Sequence, residues 1–316
     1  MKLECSQSAL NSALQLVTRA VAARPTHPVL ANVLLTADSG TNRLSVTGFD
    51  LNLGIQTSLS SSIEESGAIT LPAKLLGEII SKLSIDSPIT LTSNENDEQV
   101  EIISKSGSYQ MRGMSADDFP ELPLVQSGTS IKVNASSLIQ SLKSTLFASS
   151  SDEAKQLLTG VHLKFETSTI EAAATDGHRL AVLNIHNDLN NSEENEVRDE
   201  NFSVTLPSRS LREVERLISL LKSDEPVNLF YESGQVVFLA LDQVVTSRTL
   251  EGTYPNYDQL IPDSFSQNLK MNRRDFISAL ERVAVLADQH NNVVKLIADK
   301  SAQEIKISAD VQDVGS

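Results

Sequence analysis

Two side chains in this sequence stand where acid–base chemistry would want them. Asp176 and His178 lie two residues apart, so on a strand they share a face. A carboxylate beside an imidazole can move protons, but a hydrolase of that kind also needs an activated nucleophile. No Ser or Cys nucleophile motif accompanies the pair. The remaining histidines, His27, His162, His186 and His290, lack the spacing of a zinc site such as H-E-x-x-H. Cys5 is the single cysteine, which excludes an internal disulfide, a thiolate metal site and a redox pair. A G-x-x-x-x-G-K-[ST] phosphate loop is also absent. These patterns predict a protein with no cofactor and no metal that is not an enzyme. The plainer reading of Asp176-Gly177 is the turn of a hairpin between strand-like runs at 170–174 and 180–185.

The elements that carry this turn recur along the chain. A short alternating strand, a polar cap and an amphipathic helix occur three times: Leu3-Glu4-Cys5 before Leu10, Leu14, Val17 and Val21; Ile131-Lys132-Val133 before Leu138, Leu142 and Leu146; and Leu269-Lys270-Met271 before Phe276, Leu280, Val283 and Leu286. A second helix opens with Leu-Pro twice, at Leu71-Pro72 and Leu206-Pro207, and each repeat closes with an aromatic-Pro pair, Phe119-Pro120 and Tyr254-Pro255. Alternating, β-branched stretches lie between, at 44–55, 161–170, 227–241 and 304–308, and the acidic, Asn-rich segment 187–201 reads as a solvated loop. The predicted class is therefore α+β, with two helices on antiparallel sheets in each repeat. Domains are expected at 1–126, 127–262 and 263–316, the third incomplete because its second helix does not appear, which marks the chain as a fragment.

Bulk properties agree. A chain of 316 residues exceeds one ordinary core, and with 4% aromatics and no Trp its burial must come from Leu, Ile, Val and Ala. The start of the chain lacks a secretory apolar stretch and no run is long enough to span a membrane, so a soluble, cytoplasmic protein without a membrane partner is expected. A net charge of −15 argues against nucleic acid taken as a whole. Its distribution answers that. The helices expected at 8–24, 72–83, 134–147, 208–222 and 272–287 hold twelve basic and five acidic residues, so a basic surface is set on an acidic body.

Thr175-Asp176-Gly177-His178-Arg179-Leu180-Ala181 resembles the second-domain signature of the bacterial sliding clamps, the beta subunits of DNA polymerase III. Arg24-Pro25-Thr26 with Pro28-Val29-Leu30-Ala31-Asn32-Val33-Leu34-Leu35, Phe119-Pro120-Glu121-Leu122-Pro123 and Glu251-Gly252-Thr253-Tyr254-Pro255 resemble further motifs of that family. The resemblance implies repeated DNA-clamp domains assembling as a homodimer ring around double-stranded DNA, without reading its sequence. It also implies three kinds of protein partner: the replicative polymerase alpha subunit, the clamp loader and other proteins carrying a clamp-binding motif. Carried over residue by residue, it implies a partner-peptide groove of Leu158, Thr175, Gly177, His178, Arg179, Leu180, Pro255 and Leu260. It places DNA contacts at Arg24, Lys74, Lys155 and Gln156, and a ring-closing interface at Tyr109, Val285 and Leu286. Where family clamps often present polar and aromatic DNA contacts in the second domain, this sequence has Asp152, Lys155, Gln156 and Leu157. The competing readings are a protein-binding scaffold without a DNA role and a small hydrolase using Asp176 and His178.

Overall fold

The computed structural model describes residues 1–85, 87–94, 97–124, 128–166, 168–187, 189, 202–221, 225–287 and 293–309. Most of the acidic segment expected to be a loop, residues 188 and 190–201, lies outside them. The chain divides into two compact units, Met1–Tyr254 and Pro255–Ser316.

Within the first unit the same fold occurs twice. The first copy comprises β1 (Lys2–Ser6), α1 (Gln7–Val17), β2 (Asn32–Asp38), β3 (Arg43–Phe49), β4 (Leu53–Ser60), β5 (Ser62–Glu65), β6 (Gly67–Pro72), α2 (Ala73–Lys82), β7 (Pro88–Asn94), β8 (Asp97–Ser104) and β9 (Gly107–Arg112). The second comprises β10 (Thr129–Val133), α3 (Ala135–Thr145), β11 (Gly160–Phe165), β12 (Thr169–Thr175), β13 (Leu180–His186), β14 (Phe202–Pro207), α4 (Ser208–Leu221), β15 (Val227–Glu232), β16 (Gln235–Ala240) and β17 (Gln243–Arg248). Leu3 and Cys5 point inward from β1 while Glu4 and Ser6 point out. On α1 the buried stripe is Leu10, Ala13, Leu14 and Val17, at the three-and-four spacing that keeps one helical face on a core. Burial pushes the Cys5 thiol up to about 12, so it is a packing residue and not a reactive one.

The helices are shorter than the apolar periodicity suggests. α1 does not run to residue 24 but passes at Val17 into a single tighter turn, Thr18–Ala20, and Val21 is extended. Two constraints stop it. The Val17 carbonyl lies against Gly48, where a Cβ would collide with it, and Pro25 disfavours helical backbone at Arg24. Pro72 and Pro207 are the last residues of β6 and β14 and directly precede their helices, so neither is inside a first turn.

Each copy contributes two four-stranded blocks, β1-β7-β8-β9 with β4-β3-β2-β6, and β10-β15-β16-β17 with β13-β12-β11-β14. The copies are welded edge to edge. β17 pairs antiparallel with β4, with Val244 opposite Gln56, Val245 opposite Ile55 and Thr246 opposite Gly54, which makes one eight-stranded sheet. Arg43 clasps Asp242 at 2.5 Å and Arg209 clasps Asp50 at 2.6 Å across the same joint. Arg209 also donates to the Arg19 carbonyl at 3.0 Å, and Arg19 lies 3.6 Å from Glu213. The end of α1 and the start of α4 therefore meet on one side of the joint. β9 and β13 end their sheets.

The second unit holds α5 (Arg273–Ala287), with Ala287 buried, and a hairpin of β18 (Lys295–Asp299) and β19 (Glu304–Ser308).

A Cβ on Gly54 would lie 2.6 Å from the Thr246 methyl group and would also run into Leu122, whereas one on Gly77 in α2 meets nothing within 4 Å. Gly54→Val is expected to destabilise the protein by about 1–3 kcal/mol through overpacking, and Gly77→Ala to stabilise it by roughly 0.5–1 kcal/mol. Urea unfolding of both variants checks the pair, and equal effects would remove the joint as their cause.

Candidate functional site

The 175–180 segment closes the β12–β13 hairpin, with Thr175 opposite Leu180, so the hairpin reading of Asp176-Gly177 holds. The loop is longer than a two-residue turn and is tied by its own side chains. Asp176 Oδ1 accepts from the backbone N–H groups of His178 at 2.8 Å and Arg179 at 3.0 Å, and Oδ2 pairs with Arg179 Nε at 3.0 Å. The Thr175 hydroxyl donates to the Arg179 carbonyl at 2.6 Å and accepts from Gly177 N–H at 3.0 Å. Gly177 has φ +94°, a conformation that a side chain would strain. These bonds engage both oxygens of Asp176 within the turn, and among the described residues no hydrogen bond joins Asp176 to the His178 ring. Among the described residues no cluster of His, Cys, Asp and Glu could hold a metal ion.

The structure brings Leu158, Thr175 and Leu180, all half-buried, into the first unit together with exposed Gly177, His178 and Arg179. Pro255 and Leu260 belong to the second unit, where both are exposed. Three neighbours of the turn escaped the sequence reading as parts of this site. Phe147 is 58% exposed, and the Arg179 guanidinium stands 5.7 Å over its ring. Its signal was its position one residue beyond the Leu138-Leu142-Leu146 stripe. Tyr254, noticed only as a repeat landmark, accepts the Thr175 N–H at 3.1 Å. Lys155, expected at DNA, donates from Nζ to the Asp176 carbonyl at 3.2 Å and so touches the back of the turn, while its neighbour Gln156 is exposed.

The basic surface is thinner than the sequence count suggested. The five observed helices carry nine basic and five acidic residues, and α1 carries no charge. Arg19 falls in the tight turn after α1, Arg24 lies beyond that turn, and residue 222 lies outside the described residues. Arg19, Lys143, Arg209 and Arg216 have carboxylate partners. Arg24, Lys74, Lys82 and Arg212 are exposed, with no acidic partner within 4.0 Å among the described residues. Lys74 occupies in the first copy the place that Arg209 has in the second.

Tyr109 is 39% exposed on β9. On α5, Val285 is 66% exposed and Leu286 half-buried.

Residues 1–123 match the family model of the DNA polymerase III beta subunit N-terminal domain, and 132–256 match that of its central domain. The beta sliding clamp of Synechococcus elongatus is 54% identical over the whole of this chain, which spans 82% of that relative. The DNA polymerase sliding clamp of Bacillus subtilis superimposes with a TM-score of 0.90 at 30% identity, covering all of this chain and 82% of that one. A sliding clamp from Bartonella birtlesii bound to griselimycin superimposes at 0.84 with 29% identity, over 98% of this chain and 83% of that one.

The two backbone N–H groups lower the Asp176 pKa from 3.8 to about 2, with the Arg179 charge adding to them. The folded value lies below the unfolded one. The turn therefore keeps this stabilisation above the unfolded pKa and loses it as pH falls through about 2. Titration of the carboxyl carbon by NMR is expected to find Asp176 still ionised at about pH 3. A midpoint at the ordinary value would mean that the two N–H bonds do not persist in solution.

Proposed function

This chain belongs to the DNA polymerase III beta subunit family, the beta sliding clamps, and from that premise we propose how its surfaces divide the work. The protein encircles duplex DNA and tethers the replicative polymerase and other partners to it, catalysing no reaction of its own. Its place of work is the bacterial cytoplasm; among the described residues no helix is long and apolar enough to cross a membrane. The proposed domains are 1–126, 127–262 and 263–316.

The observation that carries this reading is the β4–β17 ladder. In the first copy β9 is the counterpart of β17, and it ends its sheet. A second copy of the chain would pair with β9 as β4 pairs with β17, which puts Tyr109 in the contact. Aligning Phe276 with Leu10 puts Val285 at the position of Arg19, the residue that reaches α4 across the internal joint. That equivalence supports Val285 and Leu286 as the other half of the ring closure.

Arg24 and Lys74, exposed and without carboxylate partners among the described residues, are the proposed phosphate contacts, and Lys155 and Gln156 are added to them on the family resemblance alone. The groove for partner peptides is proposed along Leu158, Thr175, Gly177, His178, Arg179 and Leu180, and Pro255 and Leu260 join it on the family resemblance alone. An apolar wall beside a turn with fixed polar groups suits an extended peptide held by a few anchor side chains.

Arg24→Glu with Lys74→Glu is expected to cut retention on nicked circular DNA. Each single Ala variant should lower the slope of log affinity against log salt by about 0.9. Linearising the circle should release the protein, and equal retention on both forms would refute encirclement. Lys74 also stands where Arg209 makes a joint contact, so dimer dissociation is measured beside DNA binding. A Lys74→Ala effect on the dimer alone would move Lys74 to the ring interface.

A further inference from the structure

The two copies of the fold differ chemically beneath the turn. In the second copy Tyr254 is 7% exposed, and its ring stacks on His162 with centroids 4.9 Å apart and planes 6° from parallel. His162 is held in turn through Nδ1, 2.9 Å from Thr205 Oγ1. The Tyr254 hydroxyl oxygen accepts the N–H of Thr175, whose own hydroxyl ties Gly177 to Arg179. The strand registers give the first-copy counterparts. His162 lies opposite Thr205 and Ala173, and Leu34 opposite Thr70 and Thr47. Thr175 then corresponds to Phe49, and Tyr254 to Phe119.

All three counterparts are apolar. Phe49 and Phe119 form a small core with Val29 and Leu30, against which Leu34 packs. The fold is thus built as well with a phenyl ring and an aliphatic side chain at these places. Burying a phenol hydroxyl is unfavourable unless it is bonded, and the first copy shows that packing does not require one. His162 and Tyr254 also line an open cleft of about 480 Å³, so they are not filling an enclosed core.

We propose that Tyr254, seated by its stack on His162, is a positioning residue for the partner groove: it fixes the Thr175 N–H and so holds the 175–180 turn in its binding shape before a partner arrives. This rests on the reading of that turn as a groove wall. Preorganisation of this kind raises affinity by removing an ordering cost that the partner would otherwise bear.

The test uses griselimycin as the probe, with affinity measured by calorimetry on the whole protein. Tyr254→Phe places in the second copy the ring that the first already carries. It is expected to leave the thermal midpoint within about 2 °C and to weaken binding roughly three- to tenfold. Amide exchange should quicken at Thr175 and Gly177 but not at Phe49. His162→Ala should act in the same direction, and His162→Phe, which keeps a ring under Tyr254, should bind within about twofold of the parent. Leu180→Asp serves as the control for the groove itself and is expected to weaken binding by more than about thirtyfold. If Leu180→Asp abolishes binding while Tyr254→Phe leaves it unchanged, the positioning role is overturned and the groove stands. If neither variant alters binding, the groove reading fails and takes the positioning role with it. A Tyr254→Phe loss that appears only with a fall in thermal midpoint would reduce Tyr254 to a packing residue.

Discussion

A β-sheet edge carries a row of N–H and C=O groups that must find partners or remain in water, and this requirement organises the molecule. Each copy of the fold has among its sheet edges one of the β4 kind and one of the β17 kind. The internal joint satisfies one edge of each kind. The same geometry leaves β9 and β13 ending their sheets, with complementary character. A module with this pair of edges adds head to tail, and head-to-tail addition closes a ring when the rotation per module divides a full turn. Helix placement follows, because the joint brings the end of α1 against the start of α4 through Arg19, Arg209 and Glu213.

That arrangement also governs the charge. Arg209 and Arg19 would be free cations if the joint did not engage them, and their pairing leaves Arg24, Lys74, Lys82 and Arg212 as the cations in and just after the first unit's helices that have no carboxylate partner within 4.0 Å among the described residues. A protein of net charge −15 that must move along a polyanion is served by this economy. A few exposed cations give weak, exchangeable phosphate contacts whose strength falls with salt, while topology rather than affinity prevents escape. A denser basic lining would hold the duplex in place.

Much of the architecture was legible because it is written in local patterns. The recurring strand and helix stripes, the two Leu-Pro openings and the two aromatic-Pro pairs marked the copies. Asp-Gly marked the hairpin. What could not be read depends on contacts between distant residues. The early end of α1 is set by Gly48 in β3. The neutralisation of Arg209 is set by Asp50, 159 residues away in sequence. Lys155 and Asp176, 21 residues apart, meet only once the chain folds, so a residue assigned to DNA lies against the turn. Tyr254 carried a visible motif whose hydroxyl acquires meaning only beside Thr175.

The two hairpin turns show how one backbone design came to serve two purposes. Asp50 and Asp176 hold equivalent places, and each gives one carboxylate oxygen to two backbone N–H groups downstream, Asn52 and Leu53 in the first copy, His178 and Arg179 in the second. Their second oxygens diverge. That of Asp50 goes to Arg209 in the adjoining copy, whereas that of Asp176 goes to Arg179 in its own loop. The residue that follows each loop diverges in parallel. Gly54 has no side chain, which lets β17 lie close, and Leu180 presents an apolar one at the same place. The first turn is therefore spent on joining domains. The second is tied by Thr175 and Arg179 within the loop and by Tyr254 and Lys155 from outside it, and the proposed groove would use the face these bonds leave open.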